Sequence, residues 1–271
     1  MSWPDPPLER SLFNVDPLDE FSTVIADWIW HNVQDQDNVE IEAKLGTIVD
    51  MNTGRRVELP VMVETIVDLA NTRFESNMDR GQHAHFNGLL NILVSQTNDP
   101  SHKGSKVHYA RQNELDLFYT VPGTSDRIRV TRDEKTSATT SSIVKRRIAD
   151  LNIYSPRRVF DYRISINTET PVHEPGNADE HTYLRRKNRV SYTHEYSRVD
   201  LTLVESDGTP SHELEVEMID VPGFLAVGEE TRRNTKGQQW TPFEDRVLIL
   251  LNNIRMLIRY VFAVACTEPW Y

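Results

Sequence analysis

Apolar and polar residues alternate with a period of two through much of this chain, the pattern of strands that present one face to a core and the other to something polar. At 39–45, Val39, Ile41, Ala43 and Leu45 share one face, while Glu40, Glu42 and Lys44 share the other. At 212–218, Leu214, Val216 and Met218 stand opposite Glu213, Glu215 and Glu217. Further extended segments are predicted at approximately 113–120, 126–132, 143–149, 159–167, 182–192, 196–205 and 211–219, each bounded by Gly, Pro, Asn, Asp or Ser. With 39–45 they make eight. Short connections at Pro122-Gly123 and Asp207-Gly208 imply antiparallel neighbours.

A helical period appears in three places. Phe21, Val24, Ile25, Trp28 and Ile29 predict a helix over roughly 17–31, with Asp16 as N-cap and Pro17 as its first residue. Phe86, Leu89, Leu90, Leu93 and Val94 predict a second, closed by the loop from Asn98 through Ser105. The last begins at Thr241-Pro242, spans 242–265 and carries Phe243, Val247, Leu248, Leu251, Ile254, Leu257, Ile258, Val261 and Phe262. That helix is too apolar for a surface, while Glu244, Asp245, Arg246, Arg255 and Arg259 exclude a membrane span. Residues 1–15, with Pro4, Pro6 and Pro7, read as an extended arm. Residues 47–63 read as a polar turn around Asn52-Thr53-Gly54 followed by an extended piece.

Composition narrows the class. The 271 residues can bury a sizeable core and are read as a single catalytic domain over 1–271. With 26% charged residues, many charges must be accommodated in or on strands. A net charge of -11 argues against a general nucleic-acid coat, though it permits a local basic site inside an acidic shell. The single Cys266 excludes an internal disulfide and fits a reducing compartment. No basic, then apolar leader opens the chain and no long apolar run occurs, so a soluble protein without membrane contact is expected.

The polar faces are segregated by sign. Glu114 and Asp116 share one strand, Arg127 and Arg129 the next, and Lys145 and Arg147 another. Asp161, Arg163, Ser165 and Asn167 run in register with Glu169 just beyond; Arg185, Lys187 and Arg189 follow, then Arg198, Asp200 and Thr202. Two architectures satisfy this. A sandwich would turn the apolar faces inward and leave the charges in water. A closed eight-stranded barrel would turn the charges into its lumen while helices cover the apolar exterior. Facing carboxylate rows repel unless a cation lies between them, and Mg²⁺ and Mn²⁺ suit such oxygen donors. His83 and His85 form a His-x-His pair without a third ligand nearby, which favours a surface role over a metal site. No P-loop, nucleophilic Cys motif or Ser-His-Asp set is apparent, which argues against a phosphocysteine route.

Taken in order, Val-Glu-Ile-Glu-Ala-Lys-Leu-Gly at 39–46, Arg-Ile-Arg-Val at 127–130, Ile-Val-Lys-Arg-Arg at 143–147, Asp-Tyr-Arg-Ile-Ser-Ile-Asn at 161–167, Arg-Arg-Lys-Asn-Arg-Val-Ser-Tyr at 185–192, Arg-Val-Asp-Leu-Thr at 198–202 and Glu-Leu-Glu-Val-Glu-Met at 213–218 resemble the signature motifs of the fungal-type, metal-dependent mRNA 5'-triphosphatases. Those enzymes are triphosphate tunnel metalloenzymes, and the yeast capping enzymes are the nearest comparison. The resemblance covers about 39–219. It implies an eight-stranded closed antiparallel tunnel with a hydrophilic interior, packed outside by helices. It also implies hydrolysis of the γ-phosphate from nascent RNA to leave a 5'-diphosphate end. By the same resemblance a divalent metal, Mg²⁺ or Mn²⁺, falls to Glu40, Glu42 and Glu217, supported by Glu213 and Glu215. Phosphate binding falls to Arg129, Lys145, Lys187 and Arg189, with Arg185 and Arg198 as helpers. Glu169 takes the water-orienting position; Asp116, Asp200 and Thr202 match positions that matter in the family, and Arg163 would contact phosphate or pair with a carboxylate. Implied partners are triphosphate-ended RNA, an mRNA guanylyltransferase, the phosphorylated RNA polymerase II tail and a second copy of the chain, in the nucleus. A tunnel enzyme for tripolyphosphate or free nucleoside triphosphate is the catalytic alternative, and binding of the polymerase tail the non-catalytic one.

Overall fold

The computed structural model describes residues 11–14, 19–176, 181–234 and 241–265, with side-chain surroundings described through residue 260. Its elements are α1 (Glu20–Val33), β1 (Val39–Asp50), β2 (Thr65–Val67), β3 (Thr72–Glu75), α2 (Arg80–Thr97), β4 (His108–Thr120), β5 (Arg127–Asp133), β6 (Thr139–Tyr154), β7 (Asp161–Pro171), β8 (Tyr183–His194), β9 (Ser197–Ser206), β10 (Thr209–Met218), α3 (Val221–Asn234) and α4 (Pro242–Ala265). The strands run β10-β9-β8-β4-β5-β6-β7-β1, and an additional β10–β1 pairing closes the ring into an eight-stranded antiparallel barrel. Closure removes the free edges that an open sheet would expose. β2 adds to β6 and β3 to β1 outside that ring.

This closed barrel excludes the sandwich. The hydrophobic core lies outside the barrel, between its apolar face and the helices. Ile41, Ala43 and Leu45 of β1, Ile164 and Ile166 of β7, Leu201 of β9, and Leu214 and Val216 of β10 are completely buried. They pack in one cluster with Ile25, Ala26, Ile29 and Val33 of α1 and with Phe243, Val247, Leu250, Leu251 and Ile254 of α4. Each fully buried Val, Leu, Ile or Phe favours folding by about 1.5–3 kcal/mol over an exposed one. The outer layer therefore supplies the stability that lets the inner face be given to charge.

Some boundaries differ from the sequence reading. α1 is seen from Glu20 with Asp19 as N-cap, and Asp16 and Pro17 lie outside the described residues, as do most of the arm at 1–15 and Cys266. Val261 and Phe262 stand in α4, beyond the described side chains. Periodicity does not predict α3, whose apolar residues are few, nor β2 and β3, which are too short to show alternation. The extended segment starting at 39 does not end at Gly46 but runs to Asp50, and its distal half pairs with β3. Gly46 is needed there because a Cβ at that position would come within 2.1 Å of the Glu75 carbonyl oxygen. At the same end Asp161 is completely buried. Its carboxylate accepts from the backbone N–H of Ile48 (3.0 Å) and Ser155 (2.9 Å) and from Arg56 Nε (2.9 Å) and Nη2 (2.5 Å). Arg56 also donates to the Arg158 and Ser155 carbonyls, at 2.7 and 2.9 Å. Asp161 is thus a structural clasp joining β1, β7 and the 155–158 turn, and its place on the polar phase of β7 carries no chemistry.

Candidate active site

Because side chains alternate along each strand, a barrel with its apolar phase outward must point the polar phase inward. The lumen holds a cavity of about 510 Å³ lined almost wholly by charged groups. β1 contributes Glu40, Glu42 and Lys44; β10 contributes Glu213, Glu215 and Glu217; β9 contributes Arg198 and Thr202. From the other strands come Asp116 of β4, Arg129 of β5, Lys145 and Arg147 of β6, Glu169 of β7, and Arg185, Lys187 and Arg189 of β8. Of the sixteen residues predicted for the site, only Arg163 and Asp200 do not line this cavity. Arg163 donates to Asn152 (2.8 Å), lies 3.3 Å from Asp150 and covers the Phe74 ring, so its cationic head pairs with a carboxylate. Asp200 lies on the inward phase of β9 with Arg198 and Thr202 but is buried, 3.0 Å from Arg198 and 3.8 Å from Arg189, and holds both guanidinium groups.

The seam that closes the barrel sets Glu42 directly opposite Glu217 and Lys44 opposite Glu215. Lys44 Nζ reaches Glu215 at 2.5 Å and Glu42 at 3.8 Å. Lys145 hydrogen-bonds Glu40 and stands 3.6 Å from Glu42 and 3.4 Å from Glu169. Asn167 donates to both Glu40 (2.9 Å) and Glu42 (3.2 Å), and Arg198 donates to Glu217. Across the lumen Lys187 lies 2.6 Å from Asp116, which also accepts from the Thr131 hydroxyl at 2.7 Å. Arg129 donates to Glu169 at 2.9 Å, and Arg185 lies 3.4 Å from Glu213.

Burial and crowding move the titrations. Burial pushes the Glu217 carboxyl up to about 7, Arg198 opposing the rise and Glu40, Asp200 and Glu215 adding to it. Burial likewise raises Glu42 and Glu213, the latter with help from the Glu215 charge. Glu215 goes the other way: burial acts to raise it, but Lys44, Arg189 and Lys145 together hold it at about 2. Burial lowers Lys187, with Asp116 opposing and Arg189 assisting. Glu169 resists the upward push of burial because Arg129 and Lys145 hold it low, so it is a carboxylate at neutral pH.

Among the described residues no three carboxylate, imidazole or thiol groups stand close enough together to hold a metal ion. Ammonium groups of Lys44 and Lys145 stand among these acids. The donor set itself fits a hard divalent cation, since it consists of carboxylate oxygens on adjacent strands. The opposed pair Glu42 and Glu217, both raised by burial, is a strained arrangement of like charge that a divalent cation relieves. His83 and His85 stand apart from all this on α2. The His83 ring packs 5.0 Å from His212 and titrates at about 4, first through burial and then through that neighbour, so it is half-buried packing and not a surface group.

Outside those sixteen the cavity is also lined by Lys44, Arg127 and Arg147, which the sequence reading set on polar faces without a site role, and by Phe118, Ser125, Asp126 and Val204, which it did not single out. For Phe118 the signal was present, because it continues the inward phase of Glu114 and Asp116.

Comparison with known proteins gives a consistent result. A sequence model of the family described as mRNA capping enzyme, beta chain, matches residues 15–262. The chain is 34% identical over 265 residues to the mRNA-capping enzyme subunit beta of Schizosaccharomyces pombe, covering 94% of this chain and 86% of that protein. It is 36% identical over 271 residues to the subunit of the same name from Cryptococcus neoformans, covering 94% and 65%. The solved structure of the S. pombe Pct1 RNA triphosphatase in complex with the Spt5 CTD matches with a TM-score of 0.86 at 33% identity, over 94% of this chain and 98% of that one.

Proposed function

The chain belongs to the mRNA capping enzyme β-chain family, and we propose from that premise how it works as an mRNA 5'-triphosphatase. The enzyme hydrolyses the γ-phosphate from the 5'-triphosphate end of RNA and leaves a 5'-diphosphate. One observation carries the assignment of roles: the carboxylates of β1 and β10 and the cations of β5, β6 and β8 line a single cavity in the lumen.

Phosphoryl transfer needs little covalent work from a protein, so positioning and charge stabilisation dominate. Arg129, Lys145, Lys187 and Arg189 bind the triphosphate oxygens, with Arg185 and Arg198 assisting. Arg offers planar forks for this and Lys compact point charges. Each of these cations is already balanced by a lumen carboxylate, so an incoming triphosphate exchanges one anionic partner for another inside a charged channel. Asp116 and Asp200 pair with Lys187 and Arg198 and fix them, while Thr202 offers a hydroxyl at the lumen wall. Glu169 orients the attacking water by accepting a hydrogen bond from it, a role supported by its being held as a carboxylate between Arg129 and Lys145. Glu40, Glu42 and Glu217 would hold Mg²⁺ or Mn²⁺, with Glu213 and Glu215 in support. When bound, such an ion neutralises charge on the γ-phosphate oxygens.

The reading extends to the cell: the chain works in the nucleus as a homodimer, alongside an mRNA guanylyltransferase and the phosphorylated RNA polymerase II tail. The capping-subunit relatives support the nuclear setting, and the S. pombe structure solved with the Spt5 CTD supports a partner role for this fold. The deciding experiment follows phosphate release from triphosphate-ended RNA, ATP and tripolyphosphate, with and without divalent metal. Metal-dependent formation of diphosphate-ended RNA is expected, with the highest kcat/KM on RNA. Activity confined to tripolyphosphate would move the chain to the other tunnel enzymes.

A further inference from the structure

The lumen is lined by charge, and among the described residues one aromatic ring stands in that lining: Phe118 of β4. It is not part of the outer core. Its inward phase is that of Glu114 and Asp116, and it remains partly exposed. A ring that leaves part of its surface open to a polar channel gives up part of the favourable term, which scales with apolar area removed from water. Its setting is nevertheless built. The ring leans on Tyr183, its cross-strand partner on β8, with centroids 5.6 Å apart and planes at 46°. The Phe118 carbonyl accepts from both the backbone N–H (2.8 Å) and the hydroxyl (3.1 Å) of Thr182, which fixes the backbone beneath the ring.

The neighbours say what the ring faces. On the other side its cross-strand partner is Arg129. Two residues along β5 on the same phase is Arg127, an exposed guanidinium with no hydrogen bond or ion pair among the described residues. Ser125 and Asp126 of the β4–β5 turn line the same cavity, so Phe118 stands where the channel meets its rim. A triphosphate gripped by Arg129 and Lys145 continues, beyond its α-phosphate, into a ribose and a base. Every base offers a π-face, and stacking on an aromatic side chain contributes about 1–3 kcal/mol per base without reading sequence.

We propose that Phe118, braced by Tyr183, is the stacking platform for the base of the 5'-terminal nucleotide, so that the tunnel separates nucleoside-bearing triphosphates from inorganic ones. The inference rests on the triphosphatase reading of the same cavity. Steady-state kinetics of the full chain with Mg²⁺ on triphosphate-ended RNA and on tripolyphosphate tests it, comparing wild type with F118A, F118L and F118W. The ratio of kcat/KM on RNA to kcat/KM on tripolyphosphate is expected to fall about 5- to 150-fold in F118A, mainly through KM, the span that a lost stacked base allows. F118W, which keeps a π-face, holds the ratio near wild type. If F118A fails to fold, F118L carries the same expectation, since it keeps apolar bulk without a π-face. An unchanged ratio in a folded F118A or F118L overturns this proposal alone; a wild-type protein that releases phosphate from neither substrate overturns the triphosphatase reading and this proposal with it.

Discussion

Replacing Asp161 with Ala should cost more stability than any single change at the lumen wall. The carboxylate is completely buried and satisfies two backbone N–H groups, of Ile48 and Ser155, besides both arms of Arg56. Each buried donor left without a partner costs about 1–3 kcal/mol. Arg56 is 27% exposed and keeps the Arg158 and Ser155 carbonyls, so its guanidinium is only partly stranded. The total comes to about 3–5 kcal/mol, the range for removing one member of a buried ion pair. For a chain of this size that lowers Tm by roughly 6–20 °C. D161N, which keeps an acceptor oxygen and the shape, should fall between. Thermal melts of the wild type, D161A, R56A and the double variant would measure it. The double variant should lose less than the sum of the singles, because the two residues share one network. A D161A protein within about 1 kcal/mol of wild type, or strict additivity with R56A, would refute the account of the clasp.

Three further outcomes follow from the lumen. E42Q, at a position 3% exposed and opposite Glu217, should reduce metal-dependent phosphate release by at least about 100-fold while far-ultraviolet circular dichroism and Tm stay close to wild type. K187Q should raise KM for the triphosphate while metal affinity, followed by calorimetric titration, is unchanged; equal loss of both would show that Lys187 does not act on phosphate. The third concerns pH. The Glu217 titration lies at about 7 in the folded chain against an ordinary 4.5, so its contribution to stability is fully present below about 4.5 and is lost as pH rises through about 7. Melts of metal-free wild type minus those of E217Q, between pH 4.5 and 8, should show that fall, and a flat difference would contradict it.

Most of the barrel was legible because its strands alternate strictly and its polar phase is segregated by sign. Glu40, Glu42, Glu213, Glu215 and Glu217 could be read from phase alone. Whether that phase pointed inward could not, because alternation is the same for a sandwich with solvated charges; the ordered motifs favoured the tunnel, and the β1–β10 pairing settles it. The role of Asp161 was illegible, and that of Arg163 stayed open between phosphate and a carboxylate, for a different reason. Both share the polar phase of β7, yet Arg56 and Asp150, which engage them, come from segments whose approach depends on tertiary packing. β2, β3 and α3 lack a sustained period, so no local pattern marks them.

The closing seam has a consequence for biosynthesis. Lys44 and Glu215, which join across it, are 171 residues apart in the chain. Loop closure of that length comes late in folding, since the entropy of a long connection must be overcome before its contacts can reward it. A nascent chain still missing its last strand on the ribosome therefore carries only one of the two carboxylate rows. Premature termination upstream of Thr209 would leave a fragment with one carboxylate row and an unprotected sheet edge, so the strand that completes the acidic set is also the one that covers that edge.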